Sequence, residues 1–336
     1  MTSRNSHSNR ALRPFALRPV GKDYIWGGNR LNKDFSKGIP MQPLAETWEC
    51  STHPDGPSQI ATGTYENRLL SDYIKEHPEC LGTHPKTRGE LPILIKFIDA
   101  KEKLSVQVHP TDEYAFTKEN GSMGKTEMWY VLDAAKDTQV MLGLLHDMEK
   151  DALRKSISEG TLENYLQKID VKRDDLFFVD AGTIHAIGAG ALIVEIQENS
   201  NLTYRLYDYD REDKQGKKRS LDIEKALEVA NCKAGHTPVQ PMRVLKYTKG
   251  CASELLTRCK YFEVNRLLIN TERNREMVSF RSDAASFRVL LCVNGCGSVL
   301  FEDEVIQFFR GDCIFVPANS TEMKIHGKAQ FLDVRA

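Results

Sequence analysis

The segment Asp175-Leu-Phe-Phe-Val-Asp-Ala-Gly-Thr-Ile-His185 places a polar residue before four apolar residues and a turn of small residues. The segment Asp312-Cys-Ile-Phe-Val-Pro-Ala-Asn-Ser-Thr-Glu322 repeats this pattern late in the chain. Strand-like runs precede both: Met128-Trp-Tyr-Val-Leu-Asp133 in the first case and Arg288-Val-Leu-Leu-Cys-Val-Asn-Gly295 in the second. Such internal similarity indicates a repeated structural unit. The sequence therefore predicts two related β-barrels, one with and one without polar functional residues.

Short apolar or β-branched runs bounded by turn residues dominate the rest of the chain, and we predict that they are strands. They lie at 93–98, 104–108, 128–132, 138–142, 176–179, 191–197, 261–269, 287–293, 298–301, 314–316 and 330–334. Helices are predicted near 67–75, 148–158, 162–168 and 221–229, with Asp147 capping the second and Thr161 the third. The predicted organisation is a disordered lead-in at 1–15, a catalytic domain at 16–245 with a helical insert near 147–169, and a second β-domain at 246–336.

The composition excludes several classes of protein. The 336 residues include 46 basic and 47 acidic side chains, a net charge of −1 that gives no electrostatic footprint for nucleic acid or an anionic membrane. No window approaches the roughly 18 consecutive apolar residues of a membrane-spanning helix. Residues 1–10 are polar and do not resemble a secretory signal. The eight cysteines form no CxxC pair, so we expect reduced thiols and a cytoplasmic location.

A candidate metal site comes from strand periodicity. In Leu104-Ser-Val-Gln-Val-His-Pro110, Gln107 and His109 point to one face, because side chains two apart on a strand share a face. Glu127 begins another strand-like run and His185 follows a strand and a turn. Two imidazoles, a carboxylate and an amide oxygen suit Zn²⁺ with an open position, and also Fe²⁺, Mn²⁺ or Co²⁺.

Other interpretations remain open for these residues. A lone histidine on a strand is more often a core or surface residue than a ligand, and Glu127 alone fits a surface charge. The polar run 195–211 fits either an edge strand with a solvent-exposed face or a pocket wall that offers Arg205 and Arg211 to an anion. The charged run 211–219 is most simply a solvated surface turn.

Taken together, the motifs resemble the type I phosphomannose isomerase family in its short bacterial form. The resemblance extends from about residue 26 to the end of the chain. It rests on six motifs in order besides the 104–110 segment. They are Trp26-Gly-Gly28, Ala45-Glu-Thr-Trp-Glu49, Leu91-Pro-Ile-Leu-Ile-Lys96, Gly124-Lys-Thr-Glu-Met-Trp-Tyr130, Ala181-Gly-Thr-Ile-His-Ala186 and Asn201-Leu-Thr-Tyr-Arg-Leu-Tyr-Asp-Tyr-Asp-Arg211.

The resemblance implies a mainly β fold with two cupin-type, jelly-roll-like barrels, the first carrying a helical insertion and the second degenerate. It implies one Zn²⁺ per chain and a role for each of nine residues. The implied ligands are Gln107, His109, Glu127 and His185; the implied catalytic residues are Arg205 and Lys125; the implied substrate contacts are Lys96, Arg211 and Trp26. Because Arg288 and Glu322 stand roughly where ligands would lie in the second barrel, we expect no metal there.

The activity implied by the resemblance is the reversible conversion of mannose 6-phosphate to fructose 6-phosphate through a cis-enediol. The expected partner is thus a small phosphosugar, with no nucleic acid and no membrane, and the protein is expected to be a monomer or a homodimer. Two alternatives remain, a metal-dependent cupin dioxygenase and a non-catalytic sugar-phosphate sensor. The amide of Gln107 and the Lys- and Arg-containing pocket favour the isomerase, since they suit a phosphosugar better than an aromatic substrate.

Overall fold

The computed structural model describes residues 12–84, 89–213, 215–235, 240, 243–272 and 276–336, so most of the predicted lead-in 1–15 lies outside the described residues. Strands dominate these residues, which confirms the predicted mainly β fold. The strands in chain order are β1 (Phe15–Arg18), β2 (Val20–Lys22), β3 (Glu46–Cys50), β4 (Gln59–Ile60), β5 (Ile93–Asp99), β6 (Val106–Val108), β7 (Glu127–Ala134), β8 (Gln139–Leu144), β9 (Leu166–Asp170), β10 (Leu176–Val179), β11 (His185–Ile187), β12 (Ala191–Glu198), β13 (Tyr204–Tyr207), β14 (Lys246–Thr248), β15 (Cys251–Arg258), β16 (Glu263–Asn270), β17 (Val278–Phe280), β18 (Arg288–Phe301), β19 (Glu304–Phe309), β20 (Cys313–Val316) and β21 (Met323–Arg335).

The helices of the described residues are short. They are α1 (Arg30–Phe35), α2 (Leu70–Glu76), α3 (Asp112–Lys118), α4 (Lys150–Ser158) and α5 (Ile223–Val229), with 3₁₀ turns at Pro78–Leu81 and Leu162–Tyr165. The predicted helix at 162–168 is wrong beyond the 3₁₀ turn, because β9 begins at Leu166 and pairs with β8. Asp147 does not cap α4, since its carboxylate accepts hydrogen bonds from Lys233 and from the backbone of Ala234.

Three sheets form the frame of the molecule. The first has ten strands in the order β14-β15-β16-β21-β18-β20-β1-β4, with β17 paired to β21 and β19 to β18. The second has the order β10-β7-β12-β5-β3-β2, and the third has the order β13-β6-β11-β8-β9. The strand pairs are antiparallel, so side chains alternate between two layers along each strand.

The six-stranded sheet lies between the other two and is buried on both faces. On β12, Val194 and Ile196 belong to a core shared with residues of the ten-stranded sheet, including Val289. The preceding Ile193 points to the opposite face and packs with Leu142 of the five-stranded sheet. Glu195 and Gln197 share the face of Ile193, so they face the gap between the six- and five-stranded sheets, which is where the candidate site forms.

The outer face of the five-stranded sheet is covered by helices. Leu153 and Ile157, four residues apart on α4, are buried in one cluster with Leu227 of α5 and with Val106 and Val108 of β6. Because these valines point outward to the helices, Gln107 between them points inward. Packing of Val106 and Val108 against the helices thus directs Gln107, the predicted ligand on β6, to the opposite face of the strand.

Two strands from the start of the chain join the C-terminal sheet. The strand β1 pairs with β20 and β4 pairs with β1, so residues before 61 contribute to the sheet built mainly by residues 246–335. The division into domains at 16–245 and 246–336 stays a prediction. Within the described residues, no helix combines the length and the apolar character that a bilayer crossing requires.

Candidate metal centre and pocket

Strand pairing brings the four predicted ligands to one place. Gln107 of β6 lies opposite His185, the first residue of β11. His109 follows β6 directly, and Glu127 is the first residue of β7 in the neighbouring sheet. All but Gln107 are almost fully buried. Ligand residues thus come from both sheets that border the gap.

The ligating atoms of this group converge. His109 Nε2 lies 3.4 Å from Glu127 Oε2, and His185 Nε2 lies 3.5 Å from Glu127 Oε1. The ligand atoms of these three residues lie within 4.8 Å of one another, a spacing that fits a shared metal ion. The Gln107 amide nitrogen lies 3.4 Å from His185 Nε2, and a half-turn of the amide would direct its oxygen there instead.

The surroundings of the imidazoles fit metal ligation. His109 Nδ1 lies 2.9 Å from the carbonyl oxygen of Leu202, and His185 Nδ1 lies 2.8 Å from that of Thr183. Since a carbonyl only accepts, each Nδ1 carries the proton and each Nε2 presents its lone pair to the centre. Among the described residues, neither carboxylate oxygen of Glu127 accepts a hydrogen bond of good geometry, and its one close cation is the Lys125 ammonium, 2.8 Å from Oε2.

Burial sets the ionisation of the ligands. Burial and then the nearby Lys125 ammonium lower the pKa of His109 to about 3, and burial lowers the pKa of His185. Burial raises the pKa of Glu127, but Lys125 and the imidazoles outweigh it and hold that pKa well below its usual range. Neutral imidazoles and an ionised carboxylate are the forms that bind metal ions.

Lys125, two residues before the first residue of β7, also points to this group of side chains. Its Nζ lies 2.8 Å from Glu127 Oε2, 3.0 Å from His109 Nε2 and 3.8 Å from Glu195 Oε1. The ammonium is a stand-in cation in this structure, and its position shows that the cluster favours positive charge. The predicted catalytic lysine therefore contacts the metal centre directly.

The buried side chains beside the centre carry one excess negative charge, apart from the partly exposed arginines of the adjoining pocket. Three carboxylates, Glu46, Glu127 and Glu195, face two ammonium groups, Lys96 and Lys125, and all five side chains are buried. An excess buried negative charge is costly unless a cation compensates it. This imbalance is a second observation that fits a bound divalent metal ion.

Lys96 and Trp26 both line the pocket beside the centre. Lys96 Nζ lies 3.1 Å from Glu195 and 3.8 Å from Glu46, and these carboxylates raise its pKa despite burial, which opposes them. Lys96 is therefore a fixed positive charge in the wall. The ring of Trp26 is buried and stacks on Tyr24, with 5.6 Å between centroids.

Two arginine residues, Arg205 and Arg219, also line the pocket. Arg205 of β13 lines it, and its Nε is buried without a hydrogen-bond partner among the described residues. Burial lowers the pKa of Arg205, and the neighbouring Arg219 lowers it further. Two guanidinium groups side by side repel each other, and an anion between them would relieve that repulsion.

The structure places the second predicted arginine, Arg211, outside the lining of the pocket. The guanidinium of Arg211 donates to the carbonyl oxygens of Lys103 and Asp208 and lies over the Tyr209 ring, and it is not among the pocket-lining groups. Arg219 lines the pocket instead, although the run 211–219 was interpreted as a solvated turn. Its Nε donates to Asp208 at 2.8 Å, which holds the side chain against the pocket.

Sequence reasoning also left Glu195 unassigned. The edge-strand interpretation of the run 195–211 is wrong for Glu195, because β12 lies between β7 and β5, although β13 in the same run is an edge strand of the five-stranded sheet. Glu195 lies opposite Lys96 on β5 and Trp129 on β7, and accepts a hydrogen bond from Trp129 Nε1 at 3.2 Å. The sequence does show that Glu195 and Gln197 share one face of a strand. The order of the strands was needed to show that this face, through Glu195, lines the pocket.

A buried His–Glu–His group that could hold a metal ion, beside a Lys- and Arg-lined pocket between sheets of a mainly β frame, is typical of the cupin class. Residues 15–158 match the family model described as phosphomannose isomerase type I, catalytic domain. Residues 253–335 match the model described as mannose-6-phosphate isomerase, cupin domain. The chain belongs to the type I phosphomannose isomerase family.

Individual relatives agree with this assignment over nearly the whole chain. Mannose-6-phosphate isomerase ManA of Bacillus subtilis is 36% identical over 321 residues, which cover 94% of this chain and 97% of that protein. The crystal structure of mannose 6-phosphate isomerase from Bacillus subtilis superposes with a TM-score of 0.87 at 34% identity, covering 96% of this chain and 99% of that one. A variant of phosphomannose isomerase from Salmonella typhimurium shares the fold, with a TM-score of 0.74 at 17% identity over 96% of this chain and 99% of that one.

Proposed function

We propose that this protein interconverts mannose 6-phosphate and fructose 6-phosphate. Family membership supports this reaction, and the observation that carries it in the structure is the buried His109–Glu127–His185 group with Lys125 at its centre. The reaction breaks the C2–H bond of the aldose and forms a C1–H bond, while the O2 hydroxyl proton moves to O1. A site for it needs a positive centre near both oxygens and a group that exchanges protons.

The metal proposed for this centre is a single zinc ion held by Gln107, His109, Glu127 and His185. Two imidazoles, a carboxylate and an amide oxygen are ligands that zinc accepts. When bound, a zinc ion stabilises negative charge that develops on the sugar oxygens.

Lys125 is proposed to move the hydroxyl proton between O2 and O1, because its ammonium is the proton donor nearest the centre in the pocket wall described above. Glu195 contacts Lys125 and Lys96, so it keeps both ammonium groups directed to the pocket. Arg205 is proposed to stabilise negative charge on the substrate. The group that removes the carbon-bound proton is not assigned.

Arg205 and Arg219 are proposed to bind the phosphate of the substrate, because both guanidinium groups line the pocket and the buried Nε of Arg205 has no hydrogen-bond partner among the described residues. Arginine suits phosphate through paired N–H donors. This assignment replaces Arg211 as the second basic contact.

We expect Arg219→Ala to raise the KM for mannose 6-phosphate by about 10- to 100-fold, the value of one charge-assisted hydrogen bond, with a smaller change in kcat. Arg211→Ala is the matched control, since Arg211 also donates to Asp208 but does not line the pocket. Steady-state kinetics of both variants provide the test. If Arg211→Ala raised KM more than Arg219→Ala did, Arg211 and not Arg219 would be the phosphate contact.

The proposed function is tested by a coupled assay for fructose 6-phosphate formed from mannose 6-phosphate. We expect turnover that disappears after chelator treatment and returns with zinc. A folded, zinc-loaded sample without turnover would contradict the isomerase and favour a dioxygenase or a sugar-phosphate sensor. Chelator-resistant turnover would contradict the proposed zinc ion alone. The cytoplasmic location and the monomeric or homodimeric state remain predictions, the latter testable by sedimentation.

A further inference from the structure

The backbone on both sides of Lys125 is held by two acid side chains, the partly exposed Asp112 and the buried Glu198. The amide nitrogen of Gly124 donates to Asp112 Oδ1 at 3.1 Å, and that of Thr126 donates to Glu198 Oε1 at 2.7 Å. We call Gly124, Lys125 and Thr126 the lysine segment. Glu198 is buried at the end of β12, and Asp112 begins α3, so the two acids reach the lysine segment from different elements.

The backbone of the lysine segment packs closely against the backbone at Thr111 and Asp112, which restricts its movement. A Cβ on Gly124 would lie 2.4 Å from the amide nitrogen of Asp112 and 2.6 Å from the carbonyl carbon of Thr111. The amide nitrogen of Lys125 donates to the carbonyl oxygen of Pro110 at 3.0 Å. Because backbone packs on backbone here, a shift of Asp112 moves the residue that carries the ammonium.

The two acids also influence each other's ionisation. Burial, followed by the neighbouring Asp112, raises the pKa of Glu198 to about 8, so Glu198 is the acid that holds a proton. Burial raises the pKa of Asp112, but hydrogen bonds from Glu198, Tyr261 and Lys260 outweigh it and lower that pKa. The ionisation of Glu198 is thus linked to the acid that supports Gly124.

Residues of the ten-stranded sheet complete this arrangement. The loop between β15 and β16 carries Lys260 and Tyr261, and the Tyr261 hydroxyl donates to Asp112 Oδ2 at 2.8 Å. The more exposed Lys260 Nζ donates to the same oxygen at 3.1 Å. The sheet that supplies none of the metal ligands therefore contacts the support of the lysine segment.

We propose that the hydrogen bonds of Tyr261, Asp112 and Glu198 connect the ten-stranded sheet with the lysine segment and position Lys125 for proton transfer. None of the three contacts the pocket, so they are positioning residues. The proposal rests on the proposed isomerase function of Lys125.

Kinetics of zinc-loaded variants test this positioning role. We expect Glu198→Ala to lower kcat by about 100-fold, the cost of a misplacement of roughly 1 Å, with KM and zinc content unchanged. Tyr261→Phe removes one hydroxyl and should lower kcat about fivefold. Glu198→Gln should recover most of the activity lost in Glu198→Ala, because its amide can still accept from Thr126 and donate to Asp112.

Tyr130→Phe is the matched control for Tyr261→Phe. The Tyr130 hydroxyl likewise links the six-stranded sheet to the ten-stranded sheet, through Arg266 and Gln330, but it does not contact the lysine segment. We expect its removal to lower thermal stability while kcat stays at the wild-type value.

The pH profile separates positioning from simple structural support. Wild-type kcat should fall as the pH rises through about 8, because Glu198 then loses its proton and two carboxylates repel each other. Glu198→Gln carries no such proton and should lack this decline. If Glu198→Ala and Tyr261→Phe kept the kcat of the wild type, the proposed positioning role would be wrong, although the isomerase function would stand. The same conclusion would follow if the loss of kcat in these variants matched a loss of zinc. An inactive zinc-loaded wild type would overturn both.

Discussion

Glu127→Gln is expected to abolish turnover and to release the bound metal. Glu127 is the one carboxylate of the ligand group, and its two oxygens face the two imidazoles at 3.4 and 3.5 Å. A neutral amide removes the anionic ligand while it keeps the volume of the side chain. Elemental analysis of the purified variant should show far less than one zinc ion per chain, and the coupled assay should show no fructose 6-phosphate above background.

The same substitution should destabilise the metal-free protein. Lys125 would keep Glu195 at 3.8 Å as its carboxylate partner and lose Glu127 at 2.8 Å. Removing one partner of a buried ion pair costs about 3–5 kcal/mol, which thermal unfolding would detect. Glu49→Gln is the matched control: Glu49 is a fully buried carboxylate 2.8 Å from Lys37, and it lies outside the ligand group. This control should lose stability and keep both zinc and turnover, whereas full zinc occupancy in Glu127→Gln would refute the ligand assignment.

The ligand residues could be predicted for two different reasons. Gln107 and His109 follow from strand periodicity alone, because the valines between and beside them must face a core. Glu127 and His185 lie far along the chain, and no local pattern connects them with β6. Their approach depends on the pairing of β6 with β11 and on the stacking of two sheets, so their residue types and strand positions made them candidates and the family resemblance supported the choice.

Glu195 and Arg219 show what a sequence pattern leaves undetermined. Both the exposed and the pocket interpretation of Glu195 satisfy the same alternation, and the choice depends on whether β12 is an edge or a central strand. Arg219 lies in a charged run that is hydrophilic by any local measure. It reaches the pocket because Asp208, eleven residues earlier, binds its guanidinium, and such a contact has no signature in composition.

The error at 162–168 has a related cause. A short run with alternating apolar residues fits a helix or a strand about equally well. Here the edge of the five-stranded sheet is available, and residues of β9 pair with β8 from Gln139 to Leu144. Tertiary pairing therefore decided the structure of residues whose local preference was weak.

Lys125→Met is expected to lower kcat by about 10²- to 10⁴-fold, the range of a lost general acid–base group, while zinc content stays near one per chain. Methionine keeps most of the length of the side chain and removes the ammonium that lies 2.8 Å from Glu127 and 3.0 Å from His109. None of the proposed ligands is altered, so the metal should remain. KM should change little, since the proposed phosphate contacts are Arg205 and Arg219.

Lys37→Met is the matched control for this substitution. Lys37 is as buried as Lys125 and is likewise paired with a buried carboxylate, Glu49, but it lies outside the pocket. Both variants leave a buried carboxylate without its lysine, so both should lose thermal stability by a similar amount. Only Lys125→Met should lose kcat, because only Lys125 contacts the metal centre. A zinc-loaded Lys125→Met enzyme with kcat within about threefold of the wild type would assign the proton transfer to another group and would leave Lys125 as a compensating charge.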